Sequence, residues 1–202
     1  TGFALDAAEL ALIDSPELVI GSAQHAGAIR VQEAVTRDGN LTLQNQGGSG
    51  GIDVQAAIDI GSHTLALATG GDITQATSGA ITANSLLALA AGDVLLGTAQ
   101  NDVASTTLAG SSGGDFEFLD ASALSIGTVS ASGIDTSSGQ LSALGASGIT
   151  SGGDALVRNL AGDLTLQSGI SAHAIDLVTA GALQNAAGAT LTAANGWRVC
   201  AS

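Results

Sequence analysis

Large apolar residues recur along this chain in short alternating runs, each closed within a few positions by Gly, Ser, Thr or Asn. In "GSHTLALATGGDITQATSGAITA" (residues 61–83), Leu65, Leu67, Ile73 and Ile81 are set among Ala, Thr, Ser, Gly and Gln. Period-two alternation belongs to a strand with one covered face, and the glycine-bounded ends mark turns. The runs themselves repeat. Leu43, Leu65, Leu87 and Leu108 lie 22, 22 and 21 residues apart, and Ile52, Ile73, Val94 and Phe116 follow at 21, 21 and 22. Ile60, Ile81, Val103 and Leu124 form a third column at 21, 22 and 21. Three columns with one period predict a coil of three short strands, wound repeatedly so that like residues stack. Strands on adjacent coils are then parallel and about 4.8 Å apart, and each coil is held chiefly by its neighbours. The expected fold is all-β: a right-handed parallel β-helix with about 19–24 residues per coil.

The rhythm loosens after about residue 130 but continues in "GDLTLQS", "AIDLVTA" and "ATLTAA". "SASGIDTSSGQLSALGASGITSGG" is rich enough in Gly and Ser for a linker. Ile134, Leu141, Leu144 and Ile149 nonetheless recur often enough for short strands. Residues 1–202 are read as one continuous solenoid. In "LDAAELALIDSPE", Asp6 followed three residues later by Glu9 is a capping box, which predicts one or two helical turns before Pro16.

Composition sharpens this picture. The 202 residues include 29 Gly, a single Pro, and no Met or Tyr, with Trp197, Phe3, Phe116 and Phe118 as the aromatics. A globular core of this size normally uses several large rings; a stack of thin aliphatic layers does not need them. The net charge of −14 sets 18 acids against Arg30, Arg37, Arg158 and Arg198. That excludes nucleic acid as an expected partner, since phosphate contacts need a cationic face. Uninterrupted apolar stretches fall short of the ~18 residues of a spanning helix, and an outer-membrane barrel would want aromatic girdles, so no membrane insertion is expected. Cys200 is the sole cysteine, so no internal disulfide is possible.

"LDAAELALIDSPELVIGSAQHAGAIRVQEAVT" resembles a recurrent segment of large filamentous-haemagglutinin-like exoproteins, in which an "aaEL" turn precedes "L-x-I-G" and "G-x-I-x-V" strands. "HTLALATGGDITQATSGAITANSLLALAAGDVLLGTAQNDVASTTLAG" is similar to the adjoining repeats, including an "N-D-V-x-x-L-A" element at Asn101 to Ala109 with one extra residue. "NGWRVCAS" resembles the aromatic tail that closes such blocks, with Cys200 where an aromatic is usual. The resemblance covers nearly the whole chain. It implies a β-helical stalk of a bacterial exoprotein, exported by two-partner or related secretion and used in adhesion, aggregation or biofilm at the cell surface. It implies no catalytic residues.

Candidate sites are few. Asp72, Asp93 and Asp115 sit at offsets of 21 and 22, one residue before the Ile73–Val94–Phe116 column, and are expected to stack along one edge. Carboxylates at coil spacing repel by about 1 kcal/mol in water, which calcium would relieve; alternatively each accepts backbone N–H groups in its Gly turn and faces solvent. "GGSGGIDVQ" (47–55) approaches a calcium-binding nonapeptide, but Asp53 falls one residue late and no tandem copy follows. His25, His63 and His173 share no metal-ligand spacing and are expected to be isolated surface residues. "NLT" at Asn40 fits a glycosylation sequon. No catalytic, cofactor or metal residue is therefore assigned. A β-helical carbohydrate enzyme would need paired carboxylates on one face and exposed rings, of which Trp197 is the one indole.

The expected function is thus a structural and adhesive stalk segment, partnered by neighbouring coils of a longer parent and by surface receptors. The competing expectation is a self-assembling extracellular filament or surface-layer subunit, in which identical copies join end to end. The stalk is what the resemblance implies; the open first and last coils of a β-helix, whose backbone groups lack partners, call for either further coils of a longer parent or end-to-end joining of copies.

Overall fold

Among the described residues, twenty strands join in one hydrogen-bonded sheet that winds upon itself, and two more, Thr128–Asp135 and Gln140–Ser147, form a separate antiparallel hairpin. The structure, a computed structural model, describes residues 6–185 and 187–201, and for residues 104–106 the backbone alone. The chain is a parallel β-solenoid of about 8 turns. One wall shows the winding most simply: Ile29, Ile52, Ile73, Val94, Phe116, Ala155, Ile175 and Trp197 stand in direct register, each on the next. Coils 1 to 8 are numbered here by these residues. The second expected column, Ile52–Ile73–Val94–Phe116, is therefore a true ladder.

The other two columns are inward except for Leu87, but their neighbours differ from expectation. On the long wall, Leu18, Leu41, Leu65, Leu86, Leu108, Ile126 and Leu166 form one ladder. Ile20, Leu43, Leu67, Ala88, Gly110, Ile149, Ile170 and Leu191 form the other. Leu43 thus stacks on Leu67, not Leu65. Leu87 stands opposite Ala66 and Ala109 on the outer face, away from Leu65. Successive coils differ in turn length, so a constant offset drifts, and a one-residue slip in a strand reverses the face. In the third column Ile60, Ile81, Val103 and Leu124 all enter the core. Ile81 nevertheless rests on Ile58, Val103 on Ala83, and Leu124 on Leu164.

The core is a continuous stack from Val31 to Leu177. Layers compensate one another in volume: the Leu43–Leu67–Ala88–Gly110 ladder shrinks toward coil 5, where Phe116 enters. A Cβ on Gly110 would lie 2.8 Å from the Phe116 ring. At the beginning, helix α1 (Ala7–Ala11) carries the expected capping box, with Asp6 accepting the Glu9 N–H at 2.7 Å and Glu9 accepting the Asp6 N–H at 3.0 Å.

The Gly/Ser-rich stretch holds the hairpin. Where coil 5 runs Leu108–Ala109–Gly110, coil 6 runs from Ile126 to Ile149, and the hairpin occupies the gap. Gly148 closes its root, donating its N–H to Gly127 O at 2.6 Å. Its φ of 75° is left-handed, and a Cβ there would lie 2.0 Å from Gly169 O, so only glycine fits.

Candidate functional site

The polar residues are distributed over the corners between walls, and two corners dominate. At the first, a coil turns through a Gly–Asp pair. Asp72 accepts the Asp93 N–H at 2.9 Å, Asp93 accepts the Asp115 N–H at 2.8 Å, and Asp115 accepts the Asp154 N–H at 2.9 Å. The three expected aspartates are thus brought into one edge, and Asp154 extends it to coil 6. Each carboxylate binds the next coil's backbone rather than its own turn, which spreads the negative charge onto amide dipoles. The glycine of each pair follows from this. A Cβ on Gly92 would sit 1.9 Å from Asp72 Oδ1, and one on Gly114 would sit 1.9 Å from Asp93 Oδ1. In coil 7 His173 continues the edge, with Nδ1 3.3 Å from Asp154, and Asn195 of coil 8 lies 3.3 Å from His173 Nε2.

The second corner is buried. Asn101, Asp120, Asn159 and Thr179 are stacked in register in coils 4 to 7. Asn101 donates to Leu96 O at 2.9 Å and Leu119 O at 3.1 Å, and accepts from the Ile81 N–H at 3.0 Å and Gln75 Nε2 at 2.5 Å. Asn159 donates to the carbonyls of Ala161 and Gly162, both at 2.9 Å. Asn45 does the same in coil 2 toward Gly27 and Gly50, both at 2.8 Å. These side chains satisfy carbonyls that turn away from the ladder. Asp120 is the exception in charge. Its Oδ1 accepts the Val103 N–H at 2.9 Å and its Oδ2 the Ser122 N–H at 3.2 Å. Burial nevertheless outweighs these bonds and raises its pKa to about 6.

The remaining candidates are engaged locally. Asp53 accepts from Gln55 at 2.6 Å and from Thr74 at 3.2 Å. Asn40 Oδ1 accepts the Thr64 N–H at 3.0 Å, so the sequon side chain joins two coils. His63 and His173 are not isolated as expected: His63 Nε2 lies 2.6 Å from Asp38, and His173 contacts Asp154. His25 is exposed and Cys200 is a free, exposed thiol. Among the described residues, no group of three or more His, Cys, Asp or Glu converges to hold a metal.

Two hollows flank α1. One, about 830 Å³, is the mouth of coil 1, floored by Ile20, Ile29, Val31 and Leu43. The other, about 630 Å³, is bordered by Asp14, Asp38, Asp59, Arg37 and His63. Arg37 lines both and holds the entry to coil 1, donating to Ser15 O at 2.6 Å.

No protein-family model, curated protein or solved structure matches the chain. Among the described residues, no helix is long and apolar enough to cross a membrane.

Proposed function

We propose that the chain is a structural and adhesive stalk segment of a secreted bacterial surface exoprotein, of the filamentous-haemagglutinin-like kind that its sequence resembles. The observation that supports this reading is where the polar side chains go. The Asp72–Asp93–Asp115–Asp154 edge and the Asn101–Asp120–Asn159 corner bind backbone groups of their own and adjoining coils. Chemistry that in an enzyme would converge on a substrate is here devoted to coil-to-coil cohesion. The acidic surface keeps neighbouring stalks apart at the cell envelope by charge repulsion.

The test is to display residues 1–202 on a non-adherent bacterium and measure cell–cell aggregation and retention on host-derived and abiotic surfaces. Gain of either, with no turnover of a polysaccharide panel, is the expected result. Absence of any gain, or turnover, overturns the reading; end-to-end fibres seen by electron microscopy of the purified chain would favour the filament subunit instead.

A further inference from the structure

The hairpin Thr128–Asp135/Gln140–Ser147 springs from coil 6 but does not stay there. Near its root, Val129 and Leu144 pack with Ala66, Leu87 and Ala109 on the outer faces of coils 3, 4 and 5. Farther out, Ile134 donates its N–H to Gln44 Oε1 of coil 2 at 2.8 Å. Its carbonyl accepts the Ala23 N–H of coil 1 at 2.8 Å. At the tip, Gln24 accepts from the Thr136 N–H at 2.7 Å and donates to Asp135 Oδ1 at 2.7 Å. The hairpin therefore runs along the solenoid axis and touches every coil from the first to its own.

Its length matches that span. Gln44 of coil 2, which Ile134 meets, lies four spacings from coil 6, or ~19 Å at ~4.8 Å each. The six residue steps from Thr128 to Ile134 cover ~20 Å at ~3.3 Å each. The covered face is also shaped for it: Ala66, Ala68 and Ala109 admit a close second layer, and Gln44, fully buried, turns its amide outward to meet the strand. Asp135, whose pKa is lowered to about 2 by hydrogen bonds from Ser137 first and Gln24 after, remains an acceptor at the tip.

We infer that this hairpin is a strap that fastens coils 1–5 to coil 6, so that the first coils cannot peel away singly from the stack. A bare solenoid is held by nearest neighbours alone, and its first coil frays at the cost of one interface. With the strap seated, lifting coil 1 also breaks the Gln24 and Ala23 bonds, and lifting coil 2 the Gln44 bond, all to a hairpin anchored in coil 6. The strap is thus a long-range connection in an otherwise one-dimensional molecule.

The test compares three proteins by hydrogen exchange. In the first variant a single glycine replaces Thr128–Ser147, giving coil 6 a three-residue link like Gln167–Gly169 in coil 7. In the second, Gln24→Ala removes only the tip bonds. The third is the intact chain. Amides of residues 17–45 are expected to lose protection by about tenfold or more in the excision variant, with a smaller loss in Gln24→Ala. Amides of residues 155–179 stay unchanged in both. Unchanged protection at 17–45, or an equal loss throughout the chain, overturns the strap. Should the excision variant not fold, the same two outcomes in Gln24→Ala decide the matter. Neither outcome bears on adhesion, so the strap and the stalk reading fail separately.

Discussion

The acidic edge and the buried polar corner solve the same problem in different solvents. In both, side chains satisfy backbone groups that the turns leave without a ladder partner: at the edge carboxylate oxygens take N–H groups, and at the corner the asparagine nitrogens donate to carbonyls while Asp120 takes N–H groups. At the Asp72–Asp93–Asp115–Asp154 edge the carboxylates are set in solvent-facing turns and lie coil upon coil. At the Asn101–Asp120–Asn159 corner the same task falls to neutral amides in two of three coils, and the one carboxylate there has its pKa raised to about 6. Water, not hydrogen-bond count, decides which side chain suits the position: a charge is tolerated where it stays hydrated and is costly where it does not.

The comparison breaks first, if it is wrong, at Asn101. Replacing it by Ala strands the Ile81 N–H and the Leu96 and Leu119 carbonyls inside the stack. At about 1–3 kcal/mol for each buried group left unsatisfied, a loss of several kcal/mol is expected in urea unfolding. A loss no greater than that of the exposed Asp115→Ala would show that burial does not distinguish the corners.

Asp120 gives the next largest effect, and its sign is set by titration. An unfolded aspartate titrates near pH 4, whereas folded Asp120 does so at about 6. Between these values the folded chain keeps a proton that the unfolded chain has released, so stability falls as pH rises from about 4 to 6. The contribution is about 3 kcal/mol, present in acid and absent above pH 6. Asp120→Asn, which cannot ionise, is expected to flatten this dependence. Parallel pH profiles for the two proteins would contradict the assignment.

At the acidic edge the expected effects are smaller. Gly92→Ala forces Asp72 off the Asp93 N–H and is expected to cost about 1–2 kcal/mol; in an Asp72→Ala background the same substitution should cost clearly less. Additive losses in that cycle would mean that the Gly–Asp pairing has another origin. Smallest of all is the response to calcium. Because backbone amides already engage these carboxylates, chelator or added calcium is expected to leave the melting temperature unchanged, and a large shift would identify a cation holding the edge.

Much of this was legible beforehand. The Ile52–Ile73–Val94–Phe116 spacing defined a wall correctly because glycine turns of nearly constant length precede each member, Gly–Gly at Ile52 and Gly–Asp at the other three. The Leu43–Leu65–Leu87–Leu108 spacing failed because coils 2 to 4 vary in length, and offset counting cannot tell a longer turn from a shifted strand. Leu87 reads as core by its type, yet it is buried by the hairpin from outside. The hairpin itself left a trace: Phe116 to Ala155, neighbours in the ladder, are 39 residues apart, nearly two periods. The buried corner also had a signature, since "FEFLD", "ALVRN" and "IDLVT" each end an alternating run on a polar residue at an inward position. What no spacing carried was the direction in which the hairpin folds back, because contacts between residues 24 and 135 leave no period.

The coil-6 junction has a consequence of another kind. Entry and exit of a twenty-residue excursion lie side by side, and ladders resume at Ile149 as if a single residue had been passed. A solenoid wall is thus a scaffold with built-in grafting ports. Any outward-pointing position between two inward ones can, on the same geometry, carry a foreign loop or a whole displayed domain without disturbing the layers beneath. The shaft and its decorations are then free to diversify at different rates.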